Sequence, residues 1–314
     1  IIKIIGIQPE DIEINSLQLS HSFGLGCIHT TIARGATSVI FRNTINLKSI
    51  INSIKAHKAT GFVGVPTTLQ RILDNYKEEF KEKGKNLEYI LTNSSPIPKN
   101  DAKEIMYILP STKFFTYYGL TEASRSTFFL FNSNSDKIES VGTPAPQVQI
   151  KILGKNGEQL EKFQAGEIWI SGQNVIEEYW DGGNEKSRIK NGWLQTGDIG
   201  YFDNDGYLYI KGRKDDIINV GGEKVSPIEI EAAIKLLDKI DDVAIIGAAD
   251  RIFGQIPIAY IVTKSSVNEE EILNHCNKIL EKYKIPQKII FTHEIPKNES
   301  GKIKRNVLKE MYEE

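Results

Sequence analysis

Gly61-Phe62-Val63-Gly64-Val65 runs directly into Pro66-Thr67-Thr68-Leu69-Gln70-Arg71-Ile72-Leu73-Asp74-Asn75-Tyr76, and the change of period inside that stretch decides the fold. Five small or apolar residues in a row suit a short buried strand. Leu69, Ile72, Leu73, Tyr76 and Phe80 then recur at helical spacing, with Thr67 as the expected cap and Gly84 as the stop. The same alternation continues on both sides. Leu47, Ile50, Ile51 and Ile54 predict a helix over 47–57, residues 87–91 read as a strand, 98–108 as a helix and 113–117 as another strand. Such alternation predicts a parallel sheet with helices on its faces, and ligands of such sheets sit outside the carboxyl ends of the strands. Two loops leave those ends: Thr92-Asn93-Ser94-Ser95-Pro96 and Tyr118-Gly119-Leu120-Thr121-Glu122.

Beyond residue 140 the texture changes to short strands and turns. Residues 148–153 and 166–171 flank Gly154-Lys155-Asn156-Gly157, and 199–202 and 207–210 flank Asn204-Asp205-Gly206, a hairpin signal. A small antiparallel β-barrel or sandwich is expected there. The charged run Gly212-Arg213-Lys214-Asp215-Asp216 then breaks the apolar pattern. After it, Ser226-Pro227-Ile228-Glu229 is a capping box with Pro at the first helical position. Its helix carries Ile230, Ile234 and Leu237, followed by strands over 243–247 and 256–262, a helix near 269–283 and a strand over 287–291. The expected plan is an α/β region over 1–139, a β-barrel region over 140–214 and a mobile C-terminal α+β domain over 215–314, of ordinary domain size. Ile1-Ile2-Lys3-Ile4-Ile5 reads as a strand, and with no initiator Met before it an N-terminal portion is expected to have been removed.

Bulk properties narrow the function classes. Lys and Arg total 39 against 41 Asp and Glu, so no net basic field points to nucleic acid. Lys297, Lys302, Lys304, Arg305 and Lys309 do cluster, but no aromatic residue interleaves them, and Glu294, Glu299 and Glu310 sit in or beside them. The two cysteines, Cys27 and Cys276, form no CxxC pair, which argues against a disulfide or zinc framework and fits a reducing compartment. With no run of membrane-spanning length and no signal-peptide pattern, a cytoplasmic protein is expected.

Taken singly, the polar motifs are ambiguous. No GxxxxGK[ST] loop occurs, since Gly301-Lys302 is followed by Ile303. Asp198, in Gln195-Thr196-Gly197-Asp198, could accept from two ribose hydroxyls, but alone it reads first as a turn aspartate capping its own backbone. Gly221-Gly222-Glu223-Lys224 alone is a tight turn. Lys302 beside a glycine suggests an exposed loop from which an ammonium can reach a phosphate or carboxylate.

In order along the chain these pieces form a series: Tyr118-Gly119-Leu120-Thr121-Glu122, then Thr196-Gly197-Asp198, then residues 212–231 with Arg213 and Gly221-Gly222, then residues 296–305 with Lys302. The series resembles that of the adenylate-forming (AMP-binding) superfamily, in particular its acyl-CoA synthetase and 4-coumarate-CoA ligase-like members. That resemblance spans nearly the whole chain. It implies a two-step ligase: a carboxylate attacks the α-phosphate of ATP to give acyl-AMP, and the thiol of coenzyme A then displaces AMP. By position, Tyr118 would stack on adenine beside Gly119, Ser94 and Ser95, Thr121 would bind phosphate and Glu122 would hold Mg²⁺. Asp198 would take the ribose hydroxyls with help from Arg213, and Lys302 would bridge the acyl carboxylate and the α-phosphate. Asp215 would be the hinge of the C-terminal domain, whose rotation would replace Lys302 with the Gly221-Gly222 turn lining the pantetheine passage.

Two departures accompany the resemblance. The family's Ser/Thr/Gly-rich ATP loop ending in Pro-Lys-Gly lies upstream of these motifs and has no counterpart in the sequence. Asn93-Ser94-Ser95-Pro96 stands where many members carry Gly-Ala-Pro. His21, in Leu19-Ser20-His21-Ser22-Phe23-Gly24, matches a stretch where acyl-CoA synthetases place a His near the acyl pocket, and it could equally be a packing histidine. No Asp stands there to grip an ammonium group, so an acid without an α-amine is expected. The alternatives are an enzyme that loads the phosphopantetheine of an acyl carrier protein, and a non-catalytic nucleotide-binding protein.

Overall fold

The structure is a computed structural model that describes residues 1–41, 46–179, 188–298 and 301–313. The chain opens with a short helix, α1 (Ile2–Ile5), rather than the expected strand. Gly6 closes it in the left-handed conformation, φ 90°, and donates to the Ile2 carbonyl. Four isoleucines around one lysine hold no periodicity that separates a strand from a buried helical turn, and here Ile5 and Ile7 are needed under the sheet. Then follow β1 (Ile12–Asn15), α2 (Ser22–Arg34), β2 (Thr37–Ile40), α3 (Leu47–Ala56), β3 (Gly61–Val63), α4 (Pro66–Lys83), β4 (Tyr89–Thr92), α5 (Lys99–Ile108), β5 (Lys113–Tyr118), β6 (Thr127–Leu130) and β7 (Thr143–Pro144). Among the described residues these strands form one sheet in the order β2-β1-β3-β4-β5-β6-β7. The first five are parallel and the last two antiparallel. The predicted parallel sheet is present, and the antiparallel edge is an addition. Thr67 is not the cap of α4: Val65, in extended conformation, is the N-cap, and Pro66, with φ already fixed for a helix, is the first helical residue.

Strand alternation sends successive side chains to opposite faces, and each face has its own helices. Phe62, Ile90, Phe114 and Phe129 join Ile50, Ile51, Leu69, Ile72 and Ile105 in a core under α3, α4 and α5. Val63, Leu91, Phe115, Tyr117 and Phe128 join Phe23 and Cys27 of α2 on the other side. The second face also holds charge. Glu13 of β1 is 1 % exposed, accepts from the Tyr89 phenol at 2.8 Å, and has no partner for Oε1.

The next strands are β8 (Val148–Leu153), β9 (Gly166–Gly172), β10 (Ile189–Lys190), β11 (Trp193–Phe202) and β12 (Leu208–Arg213). They pair antiparallel as a small curled sheet around Ile152, Ile168, Ile170, Leu194 and Leu208. The remaining elements are β13 (Ile218–Val220), β14 (Glu223–Val225), α6 (Pro227–Ile234), β15 (Ile240–Asp250), β16 (Gly254–Thr263), α7 (Glu269–Ile279), β17 (Lys288–Phe291) and α8 (Arg305–Glu313). β16 pairs with β15, β13 and β17, with α6 and α7 packed on one face and α8 on the other. Ser226 caps α6 as expected, its Oγ accepting from Glu229 N at 3.3 Å. The helix stops at Ile234, before Leu237, and α7 stops at Ile279 where Leu280 turns extended. Among the described residues no helix is long and apolar enough to cross a membrane.

Burial of Glu13 pushes its carboxyl up to about 7, against the opposing pull of the Tyr89 hydrogen bond and of Arg125. The folded state thus holds this proton more tightly than the unfolded chain, whose ordinary value is 4.5. The group's contribution to stability is full below that value, falls as pH rises from there through about 7, and is level above. Glu13→Gln should therefore gain stability relative to wild type at pH 8, on the order of 3 kcal/mol, and little at pH 4. Urea unfolding at the two pH values reads the difference.

Candidate active site

The parallel strands end together at Asn15, Val63, Thr92 and Tyr118, and the loops that follow form the rim on which most of the expected site residues stand. Tyr118, the last residue of β5, points its hydroxyl across to the curled sheet and donates to Asp198 Oδ2 at 2.5 Å. Arg213, opposite Asp198 in the β11–β12 pairing, donates from Nη1 to Oδ1 at 3.0 Å and to the Thr196 carbonyl at 3.1 Å. Asp198 is 7 % exposed.

The register of β11 breaks between Gln195 and Ile199, and the bulge turns Asp198 toward the rim. Gly197 makes the break possible. Its φ is 74°, and a Cβ there would stand 3.2 Å from Arg188 and 3.3 Å from Arg213 guanidinium nitrogens. Thr196 locks the bulge from below: its hydroxyl donates to the Ile168 carbonyl at 2.7 Å and accepts from Asp198 N at 3.0 Å. Asp198 is thus not a turn aspartate capping its own backbone. Each carboxylate oxygen takes one donor from the protein and keeps a lone pair for another, which matches two adjacent hydroxyls of a ribose.

The electrostatics keep this arrangement in one protonation state. Burial, and then the Asp198 carboxylate, raise the Tyr118 pKa well above the ordinary phenol value, so the hydroxyl remains a donor. For Arg213, burial works against the charge, but Asp198 outweighs it and raises the pKa.

Glu122 lies in the same loop as Tyr118. Its Oε1 accepts from the Tyr179 hydroxyl at 3.0 Å, its carbonyl accepts from Ile176 N, and Ala123 bridges to Val175. Thr121 beside it is exposed. Among the described residues no group of three or more acidic, His or Cys side chains could chelate a metal. A lone carboxylate suits Mg²⁺, which takes one or two and fills its remaining positions with phosphate oxygens and water. Ser94 and Ser95 follow β4 on the rim, and Ser94 has φ 89°, a left-handed conformation that a glycine would hold without strain. His21 is exposed at the N-cap of α2.

Lys302 is exposed on a turn closed by Asn298 N donating to the Lys302 carbonyl and Lys302 N donating to Asn298 Oδ1, both at 2.9 Å. Glu299 and Ser300 of the same motif lie outside the described residues. A Cβ on Gly301 would come 3.5 Å from Thr67 Oγ1, so the turn abuts the start of α4 directly after the carboxyl end of β3. The Gly221-Gly222 turn, with φ 60° and 97°, joins β13 to β14 and is exposed, with open space around Gly222. Asp215 is exposed in the turn 214–216 that separates β12 from β13, and Lys214 N of that turn donates to the Gly197 carbonyl at 2.8 Å.

Tyr118, Asp198 and Arg213 are therefore brought together, and Glu122 and the Lys302 turn stand on the same rim, while the paired glycines do not touch it. Sequence reasoning missed Thr196 as a support, Tyr179 as the partner of Glu122, Arg188 beside Gly197 and Thr67 as the landing point of the C-terminal turn. Only Thr196 had a signal, its place in the Thr-Gly-Asp triplet.

Tyr118→Phe should weaken AMP binding about tenfold in calorimetry, because it removes a hydrogen bond to a buried charged group; unchanged affinity would remove Tyr118 from the site. Ser94→Gly should raise the stability by roughly 1 kcal/mol through relief of the left-handed backbone, read as a higher urea midpoint.

Comparison with known proteins agrees with this geometry. Residues 2–180 match the family model of the AMP-binding enzyme, and residues 229–302 that of the AMP-binding enzyme C-terminal domain. The 2-succinylbenzoate–CoA ligase of Bacillus subtilis (strain 168) is 33 % identical over 309 residues, covering 98 % of this chain and 62 % of that protein. The chain thus spans less than two thirds of the length of that relative. ATP-bound MatB from Rhodopseudomonas palustris superposes with TM-score 0.91 at 27 % identity, over 100 % of this chain and 62 % of its own. MatB without ligand, at the same coverage and identity, superposes at 0.77, so the arrangement of this chain is nearer to the ATP-bound form. With the nucleotide-type rim, the bulged Asp198 and the docked Lys302 turn all present, and more than half its length matched to one family model, the chain belongs to the AMP-binding enzyme family.

Proposed function

We propose that the protein activates a carboxylic acid with ATP through an acyl-AMP and then transfers the acyl group to the thiol of coenzyme A. The observation that carries this reading is the approach of Gly301 to Thr67, which brings the turn bearing Lys302 to the rim that holds Tyr118, Asp198 and Arg213. The CoA-ligase activity named for the Bacillus subtilis relative supports the acceptor.

In this reading Asp198 and Arg213 fix the ribose, Tyr118 holds Asp198 through its hydroxyl and offers its ring to adenine, and Gly119, Ser94 and Ser95 line the base. Thr121 contacts phosphate, and Glu122, oriented by Tyr179, is the protein ligand of Mg²⁺. That ion, when bound, neutralises phosphate charge. When the acid's carboxylate attacks the α-phosphorus, negative charge builds between two anionic groups, and the Lys302 ammonium offsets it where it develops. The exposed turn at Asp215 is the hinge between a region built from 1–139 and 140–214 and a domain over 215–314. Rotation there withdraws Lys302 and brings in the Gly221-Gly222 turn, whose bare backbone allows close passage of a thiol arm. Two buried, unpaired cysteines are consistent with the cytoplasm as its compartment.

Lys302→Ala should reduce acyl-AMP formation, followed as ATP–pyrophosphate exchange, by at least about 100-fold, while thioester formation from supplied acyl-AMP stays within a few-fold. Equal loss in both half-reactions would refute the role given to Lys302. Acyl transfer to a carrier-protein phosphopantetheine without any CoA thioester would replace CoA as the acceptor.

A further inference from the structure

Arg188 stands just before β10, half-buried, and its guanidinium reaches the bulge that turns Asp198 toward the rim. There it meets the guanidinium of Arg213. A Cβ on Gly197 would stand 3.2 Å from Arg188 Nη2 and 3.3 Å from Arg213 Nη2. The two nitrogens converge on one point, and the side chain that Gly197 lacks leaves the space between them open. Arg213 uses Nη1 for the Thr196 carbonyl and for Asp198 Oδ1. Among the described residues its Nη2 has no acceptor, Arg188 makes no hydrogen bond, and no carboxylate lies within ion-pair distance of Arg188.

Two positive groups this close repel, and an acceptor placed beside both offsets the cost. The protein does not supply one. Asp198 already pairs with Arg213 and takes the Tyr118 hydroxyl, so Arg188 remains as an unused donor beside a pair that balances its own charge. Its place is next to the carboxylate that keeps a lone pair on each oxygen for a hydroxyl. A hydroxyl has one hydrogen to give and two lone pairs to offer. Each hydroxyl that donates to Asp198 therefore still needs a donor for its own oxygen. Two hydroxyls need two donors, and Arg213 Nη2 and Arg188 Nη2 are two. A phosphate also suits paired guanidiniums, but here it would set its negative charge against Asp198, whereas neutral hydroxyls satisfy the acid and both bases at once.

We propose that Arg188 is a specificity-determining residue of the nucleotide site, which with Arg213 grips the vicinal hydroxyls of a ribose from the side opposite Asp198 and so selects ribonucleotides over deoxyribonucleotides. The inference rests on the ribose role proposed above for Asp198 and Arg213, and adds a residue and a selectivity to it. A site built to hydrogen-bond a hydroxyl rejects the analogue lacking it, because its own polar groups are then left unpaired.

The test is calorimetry of the protein and of its Arg188→Met variant with AMP, 2′-deoxy-AMP and 3′-deoxy-AMP. Wild type should bind AMP more tightly than either deoxynucleotide. Arg188→Met should weaken AMP about tenfold, the size of one hydrogen bond from a charged donor, and leave one of the deoxynucleotides within about twofold of its wild-type affinity. The deoxynucleotide that is spared identifies the hydroxyl that Arg188 holds. Equal weakening of all three nucleotides would make Arg188 a general charge and overturn the assignment, and so would an unchanged affinity for AMP. Binding of AMP requires no acid, so a protein that binds AMP but activates no acid fails the proposed reaction while the comparison still decides Arg188. Wild type that binds AMP and both deoxynucleotides alike ends the inference and leaves the reaction standing; no binding of AMP at all ends both.

Discussion

Asp198 is where two sheets meet, and the position of its carboxylate depends on both. The bulge at Gly197 supplies the direction, the Thr196 hydroxyl fixes the bulge to β9, and the donors arrive from opposite sides: Tyr118 from the end of the parallel sheet, Arg213 from β12. A carboxylate this buried would be costly without those donors, so the contact between the sheets and the geometry of the site are one constraint. The turn at 214–216 begins one residue past Arg213, and Lys214 N bonds back to the Gly197 carbonyl, so the path into the last domain starts at the same point.

The two faces of the larger sheet divide the labour. The face under α3, α4 and α5 is a continuous apolar core. The face under α2 mixes its apolar residues with Glu13, Asn15, Arg125 and two tyrosines, most of them hydrogen-bonded across the sheet or to α2. Polar groups at such depth contribute little net stability, and where they are hydrogen-bonded they fix the packing of α2 on the sheet.

Most of the architecture was legible because hydrophobic period reports what an element must bury. Phe114 and Phe115 sit on opposite faces as a strand requires, and Ile50, Ile51 and Ile54 share one stripe. What failed were short segments and ends. Ile1–Ile5 has no period to read, and Pro66 rather than Thr67 begins α4 because a preset φ outweighs a hydroxyl at that place. In the site, Tyr118, Asp198 and Arg213 were recognisable as members of a motif series, but that the tyrosine's hydroxyl serves the aspartate depends on a pairing of distant strands. Arg125 had no local signal, because a charge reads as surface until its burial is known.

Arg305 gives the last domain a property of its own. Its guanidinium holds the Ile245 carbonyl at 3.1 Å and Glu231 at 2.5 Å, and stands 3.9 Å from Asp216 in the linking turn. Lys297 is fixed to Asp242 at 2.5 Å, and Lys297 also bridges to Ile303. The tip carrying Lys302 is thereby stapled to the body behind it at both ends. The Lys302 ammonium is thereby carried on a turn braced on both flanks by buried ion pairs and strand-like pairing, so its position is set by the body of the domain rather than by the turn alone.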